Sequence, residues 1–243
     1  MTPIKQSLIA SVGSLGLLTV VGCQLFVGSE DPKMQPIDAA PDSPVPPCPD
    51  DMVEAQLIGA ASVCIDRYEA SHSAADPALP VSIAGAMPWV DINHADAEAA
   101  CNRAGKRLCR NTEWNAACEG GSETNVYPYG ESFSYVACNG AEANWDEVLA
   151  TGSLATCEGG LSGLFDMAGN VAEWLAECGP ATSSSVHCTA GEHCCALASS
   201  SFDDGGQWVQ QCQLWGPGAS AGYYWHHIGF RCCRDVATES ERR

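Results

Sequence analysis

Cysteine sets the terms on which this chain can fold: fifteen of its 243 residues are Cys, and the first, Cys23, closes an N-terminal apolar run. Lys5 precedes that run, which extends from Leu8 to Val21 and is too short to span a bilayer comfortably. It ends in Val20-Val21-Gly22-Cys23, so it reads as a cleaved export signal rather than a membrane helix. Export puts the remaining fourteen cysteines, an even number, in a compartment where disulfides persist. Seven bridges is the simplest reading of that number. A metal site or one free pair of thiols fits the parity equally, and parity does not give connectivity.

Small residues leading into a cysteine resemble the lipobox of bacterial lipoproteins. The resemblance implies removal of residues 1–22 and makes Cys23 the lipid-bearing N-terminus. Several acyl chains anchor a protein firmly at a membrane surface. Gln24 stands where an Asp would retain the protein, which favours the outer membrane, facing periplasm or cell surface. Residues 23–47 then carry Pro32, Pro36, Pro41, Pro44, Pro46 and Pro47 among scattered acids, with almost nothing apolar after Val27. Such a segment buries too little surface to fold and reads as an extended tether. The folded domain is expected over 48–235, with 236–243 as a tail. Acidic residues outnumber basic ones 30 to 11, for a net charge of −19. That balance disfavours nucleic acid as a partner and suits solubility and cation binding.

Within the domain, Ser62–Glu69 alternates like a strand, and Pro88–Asp91 is a second short extended piece. Asn93 reads as an N-cap, with Ala97, Ala100, Cys101 and Ala104 at helical spacing and Gly105 as the stop. A second helix is expected near Thr112–Cys118, ended by Gly120-Gly121. Further on, Asp166 and Glu173 flank a turn at Ala168-Gly169-Asn170. Turn carbonyls and two carboxylates make an all-oxygen cage suited to a hard cation such as Ca²⁺; a solvated hairpin is the plain alternative.

The stretch Gly163-Leu-Phe-Asp-Met-Ala-Gly-Asn-Val-Ala-Glu-Trp174 resembles the signature of the formylglycine-generating enzyme, or sulfatase-modifying factor, family. Cys64-Ile65-Asp66, Gly105-Lys106-Arg107-Leu108, Tyr127-Pro128-Tyr129-Gly130 and Ile228-Gly229-Phe230-Arg231 resemble other segments of it, so the likeness spans about residues 62–234. It implies an α+β, C-type-lectin-like fold, irregular and disulfide-rich, with two helices on short antiparallel sheets. It also implies a structural Ca²⁺ held by the side chains of Asp166 and Glu173 and the carbonyls of Gly169 and Val171. Ala172 departs from the family's tryptophan. The family's disulfides carry over as Cys101 with Cys232 and Cys118 with Cys212. A second calcium at Cys138-Asn139-Gly140 is not expected, since Thr151–Gly160 shows no recognisable acidic ligand set.

Active members of that family bind copper through two cysteines that follow a Gly-Gly-Ser-aromatic step. Here Ser199-Ser200-Ser201-Phe202 occupies the step, the first catalytic position falls on Asp203 or Asp204, and the second falls near Val209. Aspartates are hard oxygen ligands and do not replace two thiolates at copper(I). Copper and catalytic residues are therefore not expected. His187-Cys188 and His193-Cys194-Cys195 have the residue types for zinc or copper, but exported cysteines at such spacing are expected to be bridged. Trp208, Trp215, His226 and His227 could line a groove for sugar, peptide or cofactor, or serve as packing. Asp203-Asp204-Gly205-Gly206 reads as a solvated turn, with a cation loop as the alternative.

The expectation for function is a non-catalytic binding or surface structural role, with an unknown ligand or protein partner. An exported oxidase or maturation enzyme working without the copper cysteine pair is the alternative. A formylglycine generator with a displaced pair, drawn from Cys188–Cys195, is a third.

Overall fold

Ten strands and two helices are found among the residues described in the computed structural model, which are 47–57, 61–122, 125–181, 187–205, 210–213 and 215–237. In chain order these are β1 (Met52–Ala55), β2 (Val63–Asp66), β3 (Ser71–His72), β4 (Pro80–Val81), α1 (His94–Arg103), β5 (Arg107–Leu108) and α2 (Asn111–Glu119). The second half adds β6 (Ala172–Pro180), β7 (His193–Ala198), β8 (Trp215–Ser220), β9 (Ile228–Phe230) and β10 (Cys232–Asp235). They belong to a unit running from Pro44 to Arg243. Cys23, most of the tether, Trp208 and Val209 lie outside the described residues.

One antiparallel sheet has the order β1-β2-β10-β5. All four residues of β2 are buried, not alternate ones, because β2 lies between β1 and β10 with both faces covered. The other main sheet has the order β8-β7-β6-β9, in which β9 runs parallel to β6. Ala172–Leu175, at the start of β6, are likewise buried without alternation.

Both helices start and stop where local chemistry directs. The Asn93 side chain accepts the Asp96 N–H at 3.0 Å, satisfying one orphan donor of α1. Buried Ala97, Ala100 and Cys101 face the sheets. In α2, Trp114, Ala117 and Cys118 turn inward. Gly120 ends it at φ 64°, where an added Cβ would lie 2.0 Å from the Gly160 carbonyl oxygen. Two apolar clusters fill the interior: one gathers Ile65, Trp114, Leu164, Met167 and Leu175, the other Ile92, Leu108, Trp174, Ile228 and Phe230.

Seven disulfides tie these elements together: Cys48–Cys64, Cys101–Cys232, Cys109–Cys233, Cys118–Cys212, Cys138–Cys157, Cys178–Cys195 and Cys188–Cys194. Cys101–Cys232 and Cys118–Cys212 are the two pairs the family resemblance implied.

One region departs from expectation. Ala176–Ser199 reads as irregular, yet β6 continues through it to Pro180 and pairs antiparallel with β7. Its serines, glycines and cysteines carry no clean alternation. Register is held instead by covalent bonds: Cys178 and Cys195 are opposed in the ladder and bridged, and Cys188–Cys194 lies beside them. At the start of the Gly163–Trp174 stretch, Phe165 makes an isolated bridge to Glu158.

Candidate functional site

The Gly163–Trp174 turn is wrapped around a buried arginine. Arg231, contributed by the residue between β9 and β10, is 0% exposed. Its Nε donates to both Glu173 oxygens (2.9 and 2.8 Å), and Nη2 donates to Glu173 Oε1 at 2.7 Å. Remaining donors reach the carbonyls of Asp66, Phe165 and Asp166 at 3.0–3.3 Å. Glu173 Oε2 also accepts the Trp114 indole N–H at 2.7 Å, joining α2 to the cluster. Both oxygens of Glu173 are therefore fully engaged, since a carboxylate offers about four acceptor positions.

Two more buried acids stand nearby. Glu69 accepts from the Asn170 amide at 2.7 Å and from the Val171 N–H at 3.2 Å. Asp166 accepts the Gly152 N–H at 2.7 Å. Burial, reinforced by the charges of Asp166 and Glu173, pushes the Glu69 carboxyl well above the usual carboxylate range. Burial also raises Asp166, to about 6. Three carboxylates thus face one guanidinium, and ionising all of them leaves two uncompensated negative charges in the interior. Protons or a cation must offset that surplus.

Here the calcium set can be tested. Gly169 and Asn170 adopt left-handed conformations (φ 72° and 60°), and a Cβ on Gly169 would lie 2.3 Å from the Asn139 carbonyl oxygen. The turn is thus tight and the donors are hard oxygens, which suits Ca²⁺. Asp166 and the charge surplus fit such an ion. Glu173 is not a free ligand, because an ion bound there has to share it with Arg231.

The second site lies where the resemblance implies the family's catalytic step. Asp203, His226 and His227 bring three ligand atoms within 4.8 Å of one another. His227 Nδ1 is buried and lies 3.1 Å from Asp203 Oδ1. Burial lowers the His227 pKa from the usual imidazole value, against the neighbouring aspartates. Buried Ser201 holds the acids, its Oγ lying 2.5 Å from Asp203 Oδ1 and 2.7 Å from Asp204 Oδ2.

His226 also borders a cavity of about 370 Å³ with Asp91, Gly222, Tyr223, Tyr224 and Trp225. Tyr223 stacks between His187 (4.4 Å between ring centroids) and Trp225 (6.2 Å). Tyr224 and Trp225 stay 60% and 45% exposed.

Of the expected groove, His226 and His227 come together on this face. Trp215 enters β8, where its backbone pairs with Ala198, and Trp208 lies outside the described residues. Asp203 was read as a lost catalytic position and not grouped with the histidines, and nothing in the spacing links it to residues more than twenty positions on. The cysteines of the His187–Cys195 segment are all in disulfides, so they offer no thiolate. The same holds for every cysteine from Cys48 to Cys233.

Comparison with known proteins agrees with this architecture. Inactive C-alpha-formylglycine-generating enzyme 2 of Bos taurus is 34% identical over 104 residues, covering 37% of this chain and 33% of that protein. Its Mus musculus counterpart is 35% identical over 103 residues, covering 37% and 32%. The chain thus spans about a third of the length of these curated relatives. In three dimensions it is similar to Treponema denticola variable protein 1, with a TM-score of 0.56 at 16% identity over 72% of this chain and 84% of that one. PvdO from Pseudomonas aeruginosa gives 0.50 at 18% identity, over 72% and 81%. These two structures establish the C-type-lectin-like fold alone. The sulfatase-modifying factor enzyme 1-like domain matches residues 60–236, the span that holds the Arg231 cluster, both helices and all four strands of the β8-β7-β6-β9 sheet, and the chain belongs to that family.

Proposed function

We propose that this protein is an exported, lipid-anchored member of the family that does no copper–thiolate chemistry and presents the face built from Tyr223–His227 and Ser201–Asp204 to a ligand. The observation that carries the reading is the pairing of all fourteen cysteines from Cys48 to Cys233. A bridged sulfur is not a thiolate, and copper(I) sites of this kind need thiolates. The disulfide density also supports export, because such bonds persist in oxidising compartments. Within the same reading, Cys23 bears the lipid, the Pro-rich tether spaces the domain from the outer membrane, and Ca²⁺ sits on Asp166 and its turn carbonyls.

Quantitative alkylation of the unreduced protein tests the central point. No labelled cysteine is expected, and two labelled neighbours would overturn it. Turnover of a sulfatase-type peptide with added copper would do the same. The mass of the N-terminal peptide tests the lipid separately.

A second reading, an exported oxidase equipped differently, is favoured by Asp203, His226 and His227 at the aligned catalytic step. Oxygen consumption with phenolic or thiol substrates would establish it.

A further inference from the structure

We propose that Asp203, His226 and His227 form a binding site for a divalent first-row transition metal ion. Two imidazoles and one carboxylate, with ligand atoms within 4.8 Å of one another, are a donor set that such ions take up and Ca²⁺ does not prefer. The groups are held in place. Ser201, 0% exposed, fixes the Asp203 carboxylate through its hydroxyl, the kind of supporting hydrogen bond that orients metal ligands. His227 Nδ1 is buried and lies 3.1 Å from Asp203 Oδ1, close enough for one ion to touch both atoms. An ion held by both atoms would replace the direct His227–Asp203 contact.

His226 stands on the exposed side and also lines the aromatic cavity. Three protein ligands leave room for water or a ligand atom at the metal, as in open zinc sites. The bound ion would therefore lie at the mouth of the cleft formed by Tyr223, Tyr224 and Trp225. This inference adds an ion to that face and stands or falls separately from the binding role and from the thiol count.

The test is titration of the full-length chain with Zn²⁺ in excess Ca²⁺, followed by calorimetry, with Co²⁺ absorption as a spectroscopic check. One Zn²⁺ per chain is expected, with Co²⁺ bands of mixed nitrogen and oxygen ligation. His226→Ala, an exposed change, and the near-isosteric Asp203→Asn should each weaken Zn²⁺ by at least about tenfold while the metal-free melting temperature stays at the parent value. His193→Ala, an exposed histidine elsewhere, should leave affinity unchanged. Absence of saturable binding in calcium, equal affinity in the His226→Ala protein, or loss of binding in the His193→Ala control overturns the proposal.

Discussion

Two charged clusters of this protein are built from similar groups and do opposite things. Around Arg231 the acids are sealed: Arg231, Glu69 and Glu173 are 0% exposed, and Glu173 has every acceptor position engaged. Around His227 the groups are open: the Asp203 side chain is 45% exposed, and the His227 ring beside it is 16% exposed. A saturated, dehydrated pair is a structural joint, since breaking it strands a charge. A partly exposed cluster with His226 on a cavity is available for a ligand. The family signature therefore marks the joint, whereas the open cluster is the one proposed above as a metal site.

The largest effect should come from breaking the joint. Arg231→Met leaves Glu173 and its neighbours buried without a countercharge and should cost about 3–5 kcal/mol, read from the denaturant midpoint. A change no larger than that of a surface variant would mean the two clusters do not differ as described. Next, Cys118→Ser with Cys212→Ser opens a link across 94 residues and should cost about 2–5 kcal/mol. The same paired change at Cys188 and Cys194, which are 6 residues apart, should cost clearly less.

A smaller effect concerns pH. Burial raises Asp166 from 3.8 to about 6 and, despite Lys106 at 2.6 Å, Asp66 also to about 6. The native state then binds protons more tightly than the unfolded chain, so this contribution is complete below about pH 4 and is lost as pH rises through 6. Without metal, melting temperature should fall over that window, and Asp166→Asn should flatten the slope. If Ca²⁺ occupies the Asp166 turn, saturating calcium reverses the Asp166 share, because protons then compete with the ion. An identical profile with calcium and with chelator would remove the ion from the site. The smallest effect belongs to the open face: Trp225→Ala should move stability by no more than about 0.5 kcal/mol, since its ring is already 45% exposed.

Much of the scaffold was readable from local chemistry. Asn93 capping Asp96, the inward Ala97–Ala100–Cys101 stripe and the Gly120 stop depend on residues within a turn or two of each other, so spacing suffices to find them. Three other features were not readable that way. The β6–β7 hairpin carries no alternation because two disulfides, not a hydrophobic face, hold its register. Tyr223, Tyr224 and Trp225 line a cavity with His226 that was not expected of them, because aromatic composition does not say which rings turn outward. The pairing of Glu173 with Arg231 was not readable either, because a carboxylate's partners cannot be known before Arg231, 58 residues on, is folded beside it.

By itself, then, the sequence determined the family, the helix boundaries and a cysteine supply sufficient for seven bridges; all rest on short-range pattern or on counting. Tertiary structure alone decided which acid is spent on Arg231 and which stays open beside His227. Burial and partner geometry set those states, and both arise only when segments distant in the chain exclude water together.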